Sequence, residues 1–390
     1  VNVRFLGLDV EYREVRDAAL ARVQDVLDGQ AFVLGEQTRE LEKSIALAVG
    51  VPHALACSSG SDALALALMA LGIGAGDAVI VPSFTFFATA GSVARLGARP
   101  AMADVDPTTH TMTAAQLAAT VEREFDREAR GRWVHRHSGA ELRAAIVVHL
   151  YGRAAPMREL AASADELGIH LIEDAAQAIG ARTDSGAAGS VGKAGCLSFY
   201  PTKNLGGAGD GGMVTTRDAD VAKRLARLRV HGAAPGGYQH EEIGINGRMG
   251  ELQAAYLNAK LPRLQAWTEL RKTAADGYRR ELKDLEAAGL CLPPAPAVDG
   301  SHVYHQFVVR IPRRRDSVAE RLRADGIDCR VFYPLPLHLQ PCFASLGYHR
   351  GSLPASERAA GEVLALPIGV HMGDSQIQAV CAALRRALAP

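Results

Sequence analysis

Lys203 is the first residue in this chain whose setting implies chemistry. It lies in Leu197-Ser198-Phe199-Tyr200-Pro201-Thr202-Lys203-Asn204-Leu205-Gly206-Gly207, between an apolar run and a glycine cluster that leads into a second apolar run, MVTT. The nearest cations along the chain are Lys193 and Arg217, so Lys203 belongs to no basic patch. Burial disfavours the ammonium form and lowers a lysine's pKa. A lysine tuned in this way is a nucleophile able to form Schiff bases with carbonyl compounds. The plainer alternative is a lysine whose stem lies along the surface while its head stays in water.

Two further pieces narrow the choice. In Ile172-Glu173-Asp174-Ala175-Ala176-Gln177 an apolar run ends in an acid. If that run is a strand of a parallel sheet, Asp174 stands at the carboxyl edge, where open α/β folds bind ligands. Gln177, three residues on, faces the same ligand if the chain turns helical there. Glu173 points to the opposite face of a strand and is assigned to structure. In Ser58-Ser59-Gly60-Ser61-Asp62 a strand-like run meets a helix start. Glycine admits close backbone approach, and the free N–H groups of a helix N-terminus attract phosphate; the alternative is a plain helix cap by Ser61.

Two phosphate motifs fail on context. Gly207-x-Gly209-x-x-Gly212 spells a dinucleotide fingerprint but precedes a strand instead of joining a strand to a helix. Around Lys193, a P-loop would need glycine where Ala187 stands and a hydroxyl where Ala194 stands.

A phosphate cup, a carboxylate at a sheet edge and an isolated lysine are together what pyridoxal phosphate requires. Its aldehyde takes a lysine, its ring nitrogen a carboxylate that keeps it protonated, and its phosphate a helix N-terminus. Metal-assisted hydrolysis accounts for the acid but not the lysine, and nucleotide binding accounts for the cup alone.

The elements that would position these groups follow from periodicity. Amphipathic helices are expected over 14–28 and 37–50, and a buried strand at 53–60 runs into a helix over SDALALALMALGI. Strands at 77–84, 98–106, 144–152 and 169–177 alternate with helices. This alternation of near-continuous apolar strands with helices predicts an α/β fold with a mostly parallel sheet covered on both faces. The segment 121–143 is charged and breaks the rhythm, so it is read as a helical extension or surface insertion. The glycine-rich, aperiodic segment 232–247 is read as functional. A long helix interrupted at Pro262 follows, then strands at 302–311 and in DCRVFYP and a closing helix at 374–388. The expected division is a large α/β domain over 1–255 and a smaller C-terminal α+β domain over 256–390.

Composition excludes several classes. Lys plus Arg and Asp plus Glu are 43 each, so no net charge points to nucleic acid or an anionic membrane. No apolar run approaches the length of a membrane span, and the first residues lack a signal-peptide core. Six scattered cysteines with no CxxC pair argue against a zinc site and a disulfide framework, and fit a reducing cytoplasm.

Read in order, CSSGSDALALALMALGIGAGDAVIVPSFTFFATA, IEDAAQAIGA, GCLSFYPTKNLGGAGDGGMVTT, GINGRMGELQAA and VFYPLPLH resemble the nucleotide-sugar aminotransferases of the DegT/DnrJ/StrS type. The resemblance spans roughly residues 5–385. It implies the fold-type I architecture of pyridoxal-phosphate enzymes and a homodimer with active sites at the subunit interface. It also implies amino transfer, usually from L-glutamate, to a keto sugar on a nucleotide diphosphate. By position it makes Lys203 the Schiff-base lysine and proton carrier, Asp174 the partner of the ring nitrogen and Gln177 the residue near the ring hydroxyl. Gly60, Ser61 and Ser198 become phosphate contacts, and Phe86 the aromatic stacked on the ring. Asn246, with Arg248 beside it, becomes a reach to the neighbouring subunit's cofactor phosphate. Tyr333 and His338 are candidate sugar contacts, although Phe332 stands where many relatives have His.

Relatives that dehydrate sugars carry His at the lysine position, so Lys203 favours transamination. The reading is a ping-pong aminotransferase, with similarity in FYPTKNLGGAGDGG inclining to a 3-keto over a 4-keto acceptor. A same-fold dehydratase is the first alternative and a non-catalytic cofactor-binding sensor the second.

Overall fold

A computed structural model of the chain describes residues 2–128, 131–183, 185–234, 237–298 and 300–389. Seven strands form the backbone of the main sheet: β1 His53–Cys57, β2 Asp77–Pro82, β3 Arg99–Ala103, β4 Glu141–Val148, β5 His170–Asp174, β6 Ala194–Ser198 and β7 Gly212–Thr216. Their order is β1-β7-β6-β5-β4-β2-β3. All pairings from β6 to β3 are parallel; β7 runs antiparallel to both β6 and β1. The expected α/β class with a mostly parallel sheet is therefore what forms.

The near-continuous apolar strands divide by alternation between two covered faces. Val79, Val81, Ile146 and Ile172 pack on one side with Leu64, Leu66 and Leu68 of the helix Gly60–Ala70. Ala78, Ile80, Val147 and Leu171 pack on the other with Leu117 and Leu160 of the helices Ala114–Glu124 and Met157–Leu167. A separate core gathers Tyr278, Phe307, Val318, Leu364 and Leu384 from the C-terminal third, and Val3 from the N-terminus joins it.

The strand face opposite Asp174 carries a buried ionic knot. Glu173 accepts from the N–H groups of Gly189 at 2.8 Å and of Val191 and Gly192 at 2.7 Å. His149 takes the Ala155 N–H on Nδ1 at 3.0 Å, so its Nε2 carries the proton that it donates to Glu173 at 2.9 Å. Burial pushes the Glu173 carboxyl up, but the His149 partner and the Gly192 and Gly189 N–H groups outweigh it and hold the carboxyl below the usual range. Such a depressed group adds stability above its unfolded pKa that is lost as pH falls through the folded one. Glu173→Ala leaves the buried Gly189 N–H and His149 Nε2–H and the part-buried Val191 and Gly192 N–H groups unpaired and is expected to cost about 3–5 kcal/mol in all by denaturant unfolding near neutral pH. A loss under about 1 kcal/mol would contradict this account.

Of the two readings of the 121–143 segment, helical extension holds only to Glu124 and the remainder is an insertion built as a hairpin. The helix Ala114–Glu124 ends in a hairpin, Phe125–Arg127 against Trp133–His135, and Val134 pairs with Glu141 at the start of β4. It thus extends the sheet at the amino end of β4, away from the carboxyl edge that holds Asp174. Tyr348 donates to the Glu124 carboxylate at 2.7 and 2.8 Å and ties the hairpin to the C-terminal third. Two other expectations change. DCRVFYP forms no strand beyond a bridge from Arg330 to Ala365, and 302–311 is strand only over Phe307–Arg310. Its partner is the strand Val363–Leu366, which the apolar pattern does not single out.

Candidate active site

The parallel strands end at one edge, and their ends supply the groups singled out in the sequence. A cleft of about 470 Å³ opens there, lined by Gly60, Ser61, Phe86, Asp174, Gln177, Ser198, Lys203 and Tyr333 among others. Segments more than a hundred residues apart meet because β1, β5 and β6 all deliver their carboxyl ends to the same side.

Gly60 opens the helix that follows β1. Ser59, not Ser61, is the cap: its Oγ accepts from Asp62 N at 3.0 Å and its carbonyl from Ala63 N at 2.9 Å. The alternative role for Ser61 is thereby removed. The N–H groups of Gly60 and Ser61, in the first helical turn, have no intrahelical acceptor and border the cleft. A side chain at Gly60 would collide with Ser198, because its Cβ would stand only 2.6 Å from the Ser198 Cβ. The turn and the end of β6 therefore touch backbone to side chain. Gly212 is held in the same way, against the Ser59 carbonyl.

Asp174 is 5% exposed. Its carboxylate accepts from Thr89 Oγ1 at 2.8 Å and from Ala176 N at 3.2 Å. Burial pushes its pKa up, against the Thr89 hydroxyl, the Ala176 N–H and the Lys203 charge. A cation bound beside it would favour its ionised form.

Lys203 sits in the turn after β6, its N–H on the Tyr200 carbonyl at 2.8 Å. Among the described residues its amine has no hydrogen-bonded or ion-paired partner. Burial lowers its pKa to about 8, and the negative charge of Asp174 opposes that shift. By contrast Lys193 is spent on Asp218 at 2.6 Å, in keeping with the dismissal of the P-loop reading.

Gln177 accepts from Tyr151 N at 2.6 Å and donates to the Tyr333 hydroxyl at 3.1 Å. Phe86 is 54% exposed, an unusual state for a phenylalanine inside a cleft, and its ring lies 5.9 Å from that of Tyr333. Asn246 is exposed on the aperiodic segment, where it bridges to Val230, and does not line the cleft. His338 also lies outside it: buried, bonded to Ser83 Oγ at 2.6 Å and to Glu357 at 3.2 Å. His149, a histidine at the end of an apolar strand, is fully buried behind the sheet edge.

Two lining residues, His305 and Gln306, and two buried residues behind the lining, Thr89 and Asn204, escaped the sequence reading. Thr89 comes from the helix Ala88–Arg95 and meets Asp174 only through packing. His305 and Gln306 enter from the C-terminal third. Asn204, whose Nδ2 donates to the Val303 carbonyl at 3.2 Å, offers its oxygen to His305 Nδ1 at 3.1 Å. Burial and the Lys203 charge keep His305 neutral. The one signal was a pair of polar residues inside the apolar run HVYHQFVVRI.

The arrangement can seat an anion on backbone N–H groups, hold a protonated ring nitrogen, face an aromatic plane and present an unpaired amine. The residues therefore fit pyridoxal phosphate. Comparison with known proteins agrees with this chemistry. The family model of the DegT/DnrJ/EryC1/StrS aminotransferase family matches residues 13–385. The chain is 43% identical over 381 residues to a pleiotropic regulatory protein of Geobacillus stearothermophilus, covering 97% of each chain. It is 41% identical to a UDP-N-acetyl-3-dehydro-alpha-D-glucosamine 3-aminotransferase of Acidithiobacillus ferrooxidans, covering 99% of this chain and 98% of that one. It is also similar to the crystal structure of S. venezuelae DesV in complex with a ketimine intermediate. There the TM-score is 0.91 with 39% identity, over 100% of this chain and 99% of that one. This chain belongs to the DegT/DnrJ/EryC1/StrS aminotransferase family.

Proposed function

We propose that the protein is a pyridoxal-phosphate aminotransferase that moves an amino group from L-glutamate to a keto sugar carried on a nucleotide diphosphate, at C3 in preference to C4. The observation that carries this reading is the unpaired Lys203 amine in one cleft with the buried Asp174 carboxylate and the free N–H groups of Gly60 and Ser61. The name of the Acidithiobacillus relative supports the acceptor class and the C3 position.

When bound, the cofactor supplies an electron sink for the carbon that loses its proton. Gly60, Ser61 and Ser198 hold its phosphate, Asp174 keeps its ring nitrogen protonated, Gln177 faces its ring hydroxyl and Phe86 covers its ring. Thr89 orients the Asp174 carboxylate. Lys203 would hold the cofactor, and its free Nζ would take the α-proton of the amino donor and return a proton to the sugar carbon. Two half-reactions result, with glutamate leaving as 2-oxoglutarate before the sugar enters. Asn246, exposed on its loop, reaches the cofactor phosphate of a second copy in a homodimer. Tyr333 lines the sugar side, whereas His338 acts through Ser83 and Glu357 on the wall behind it.

The same proposal includes the division into residues 1–255, which carry the cofactor groups, and 256–390, which close the cleft with His305, Gln306 and Tyr333. No described helix is long and apolar enough to cross a membrane. The six cysteines form no disulfide among the described residues, which supports a cytoplasmic setting.

Two measurements check this. With L-glutamate and a 3-keto UDP- or dTDP-sugar, mass spectrometry is expected to show the amino sugar. Loss of water from the sugar would establish the dehydratase instead, and cofactor binding without turnover would favour a sensor, a role the regulatory name of the Geobacillus relative keeps in view. Cofactor uptake supplies the pH test. Only the neutral amine captures an aldehyde, and burial brings Lys203 to about 8. The uptake rate of cofactor-free protein is expected to rise about tenfold per pH unit below that value and level off above it. A rate still climbing at about pH 10 would mean an unperturbed lysine.

A further inference from the structure

Behind the Tyr151 ring, and separated from the cleft by Gln306, lies a second cavity of about 40 Å³. Its wall includes His110, Arg153, His302, Gln306 and Arg310. Arg153 is 8% exposed, yet its guanidinium makes one hydrogen bond, to the Pro294 carbonyl at 2.5 Å, and has no carboxylate partner among the described residues. Arg279 shares the Pro294 carbonyl with it, donating to Pro294 O at 2.9 Å, Pro293 O at 2.7 Å and the Tyr304 hydroxyl at 3.1 Å, again with no carboxylate among the described residues. Its Nε is buried without a partner. A buried cation normally demands a counter-charge.

Neither carboxylate nearby pairs with Arg153. Glu362 pairs with Arg310 at 2.9 Å. Asp106 accepts from Thr108 N at 2.9 Å, Thr109 N at 2.8 Å and Thr109 Oγ1 at 3.0 Å, all on one oxygen within its own turn. Two polar atoms at the cavity are left over as well. His110 Nε2 and Gln306 Oε1 are both buried with no hydrogen bond, on residues only 7% and 5% exposed. The His110 ring can carry its proton on Nε2, and a Gln306 amide turned over would direct its N–H₂ inward. Both residues line the same cavity as Arg153 and would then offer it donors.

We propose that this cavity binds a small monovalent inorganic anion, chloride in size, held by Arg153, His110 and Gln306. A single water needs about 10–15 Å³ of such volume, so the space takes a halide with one or two waters but no phosphate ester or nucleotide. The bound ion neutralises Arg153 and links the turn at 106–110 to the prolines at 293–294. Through Gln306 it also fixes one wall of the cleft. None of this depends on which sugar the enzyme aminates.

The test compares thermal unfolding of the full-length holoprotein in sodium chloride and in sodium gluconate at equal ionic strength. Chloride is expected to raise Tm by about 2 °C or more, with a saturating dependence on its concentration. Arg153→Gln is expected to lose that increment while still folding; should it not fold, His110→Phe, which keeps a ring but removes the N–H donor and no charge, is expected to reduce it. Crystals grown in bromide are expected to show an anomalous peak within the cavity. Equal Tm in the two salts, an undiminished chloride increment in both variants, or a bromide-grown crystal with no peak there would each overturn the proposal.

Discussion

Lys203→Ala is expected to lower kcat by at least about three orders of magnitude, because nucleophile and proton carrier are lost together. No neighbour can replace it. Among the described residues lining the cleft, Lys203 is the one with an amine; the other nitrogen base there, His305, is buried and tied to Asn204, and the carboxylates Asp174 and Asp210 cannot form a Schiff base. The loss should be one of chemistry and not of folding, since the amine has no hydrogen-bonded or ion-paired partner among the described residues. Steady-state kinetics and unfolding measured on the same preparation check both halves. Lys203→Arg keeps the positive charge without a nucleophile and should be as inactive as the alanine variant. Activity within tenfold of the parent in either variant would remove Lys203 from the mechanism.

Asp174→Asn is the second large effect, with an expected fall in kcat of about 10²–10³, the usual range for removing one preorganised electrostatic group. The substitution nearly preserves shape, and Thr89 can still donate to the remaining carbonyl oxygen. What disappears is the negative charge that, in the proposed mechanism, keeps the ring nitrogen protonated. Burial already pushes the Asp174 carboxyl up, and a cation beside it would favour its ionised state. Cofactor affinity should weaken alongside kcat, measured by titration of cofactor-free protein. An Asn variant with parental kcat would show that Asp174 serves the fold alone.

The parts of this site readable from sequence are those set by local pattern. A lysine placed between an apolar run and glycines, and an acid ending an apolar strand, each report their own surroundings, and the sheet brings them to one edge because parallel strands share a direction. Glu173 and His149 are readable for the same reason: alternation along β5 sends Glu173 away from the cleft, and a histidine ending an apolar strand is usually satisfied in the core. Contacts between distant elements are not readable. Thr89 has an ordinary helical neighbourhood, and its bond to Asp174 depends on how the helix Ala88–Arg95 packs against the helix Gly60–Ala70 and the strands β2 and β3. His305 and Gln306 reach the cleft from the C-terminal third, through a stretch that the apolar pattern marks as strand. Its first residues are instead spent on the bridge from His302 to Arg153 and on the Val303 N–H bond to Gly152. Asp62 directly after Ser61 suggests Ser61 as the cap, but the helix starts one residue earlier, at Gly60, and Ser59 takes that role. The hairpin at 125–135 hides behind its charges, since two three-residue strands offer too few alternating positions for a pattern.

The measurement that bears most directly on the central claim is the absorbance spectrum of the purified protein with pyridoxal phosphate, before and after L-glutamate. If Lys203 holds the cofactor and glutamate is the donor, a visible band forms on reconstitution, glutamate moves it to the near-ultraviolet band of the amino form, and 2-oxoglutarate restores it. No visible band on reconstitution, or the same band in a Lys203→Ala variant, would contradict the assignment of Lys203. A band that forms but ignores glutamate would contradict the donor.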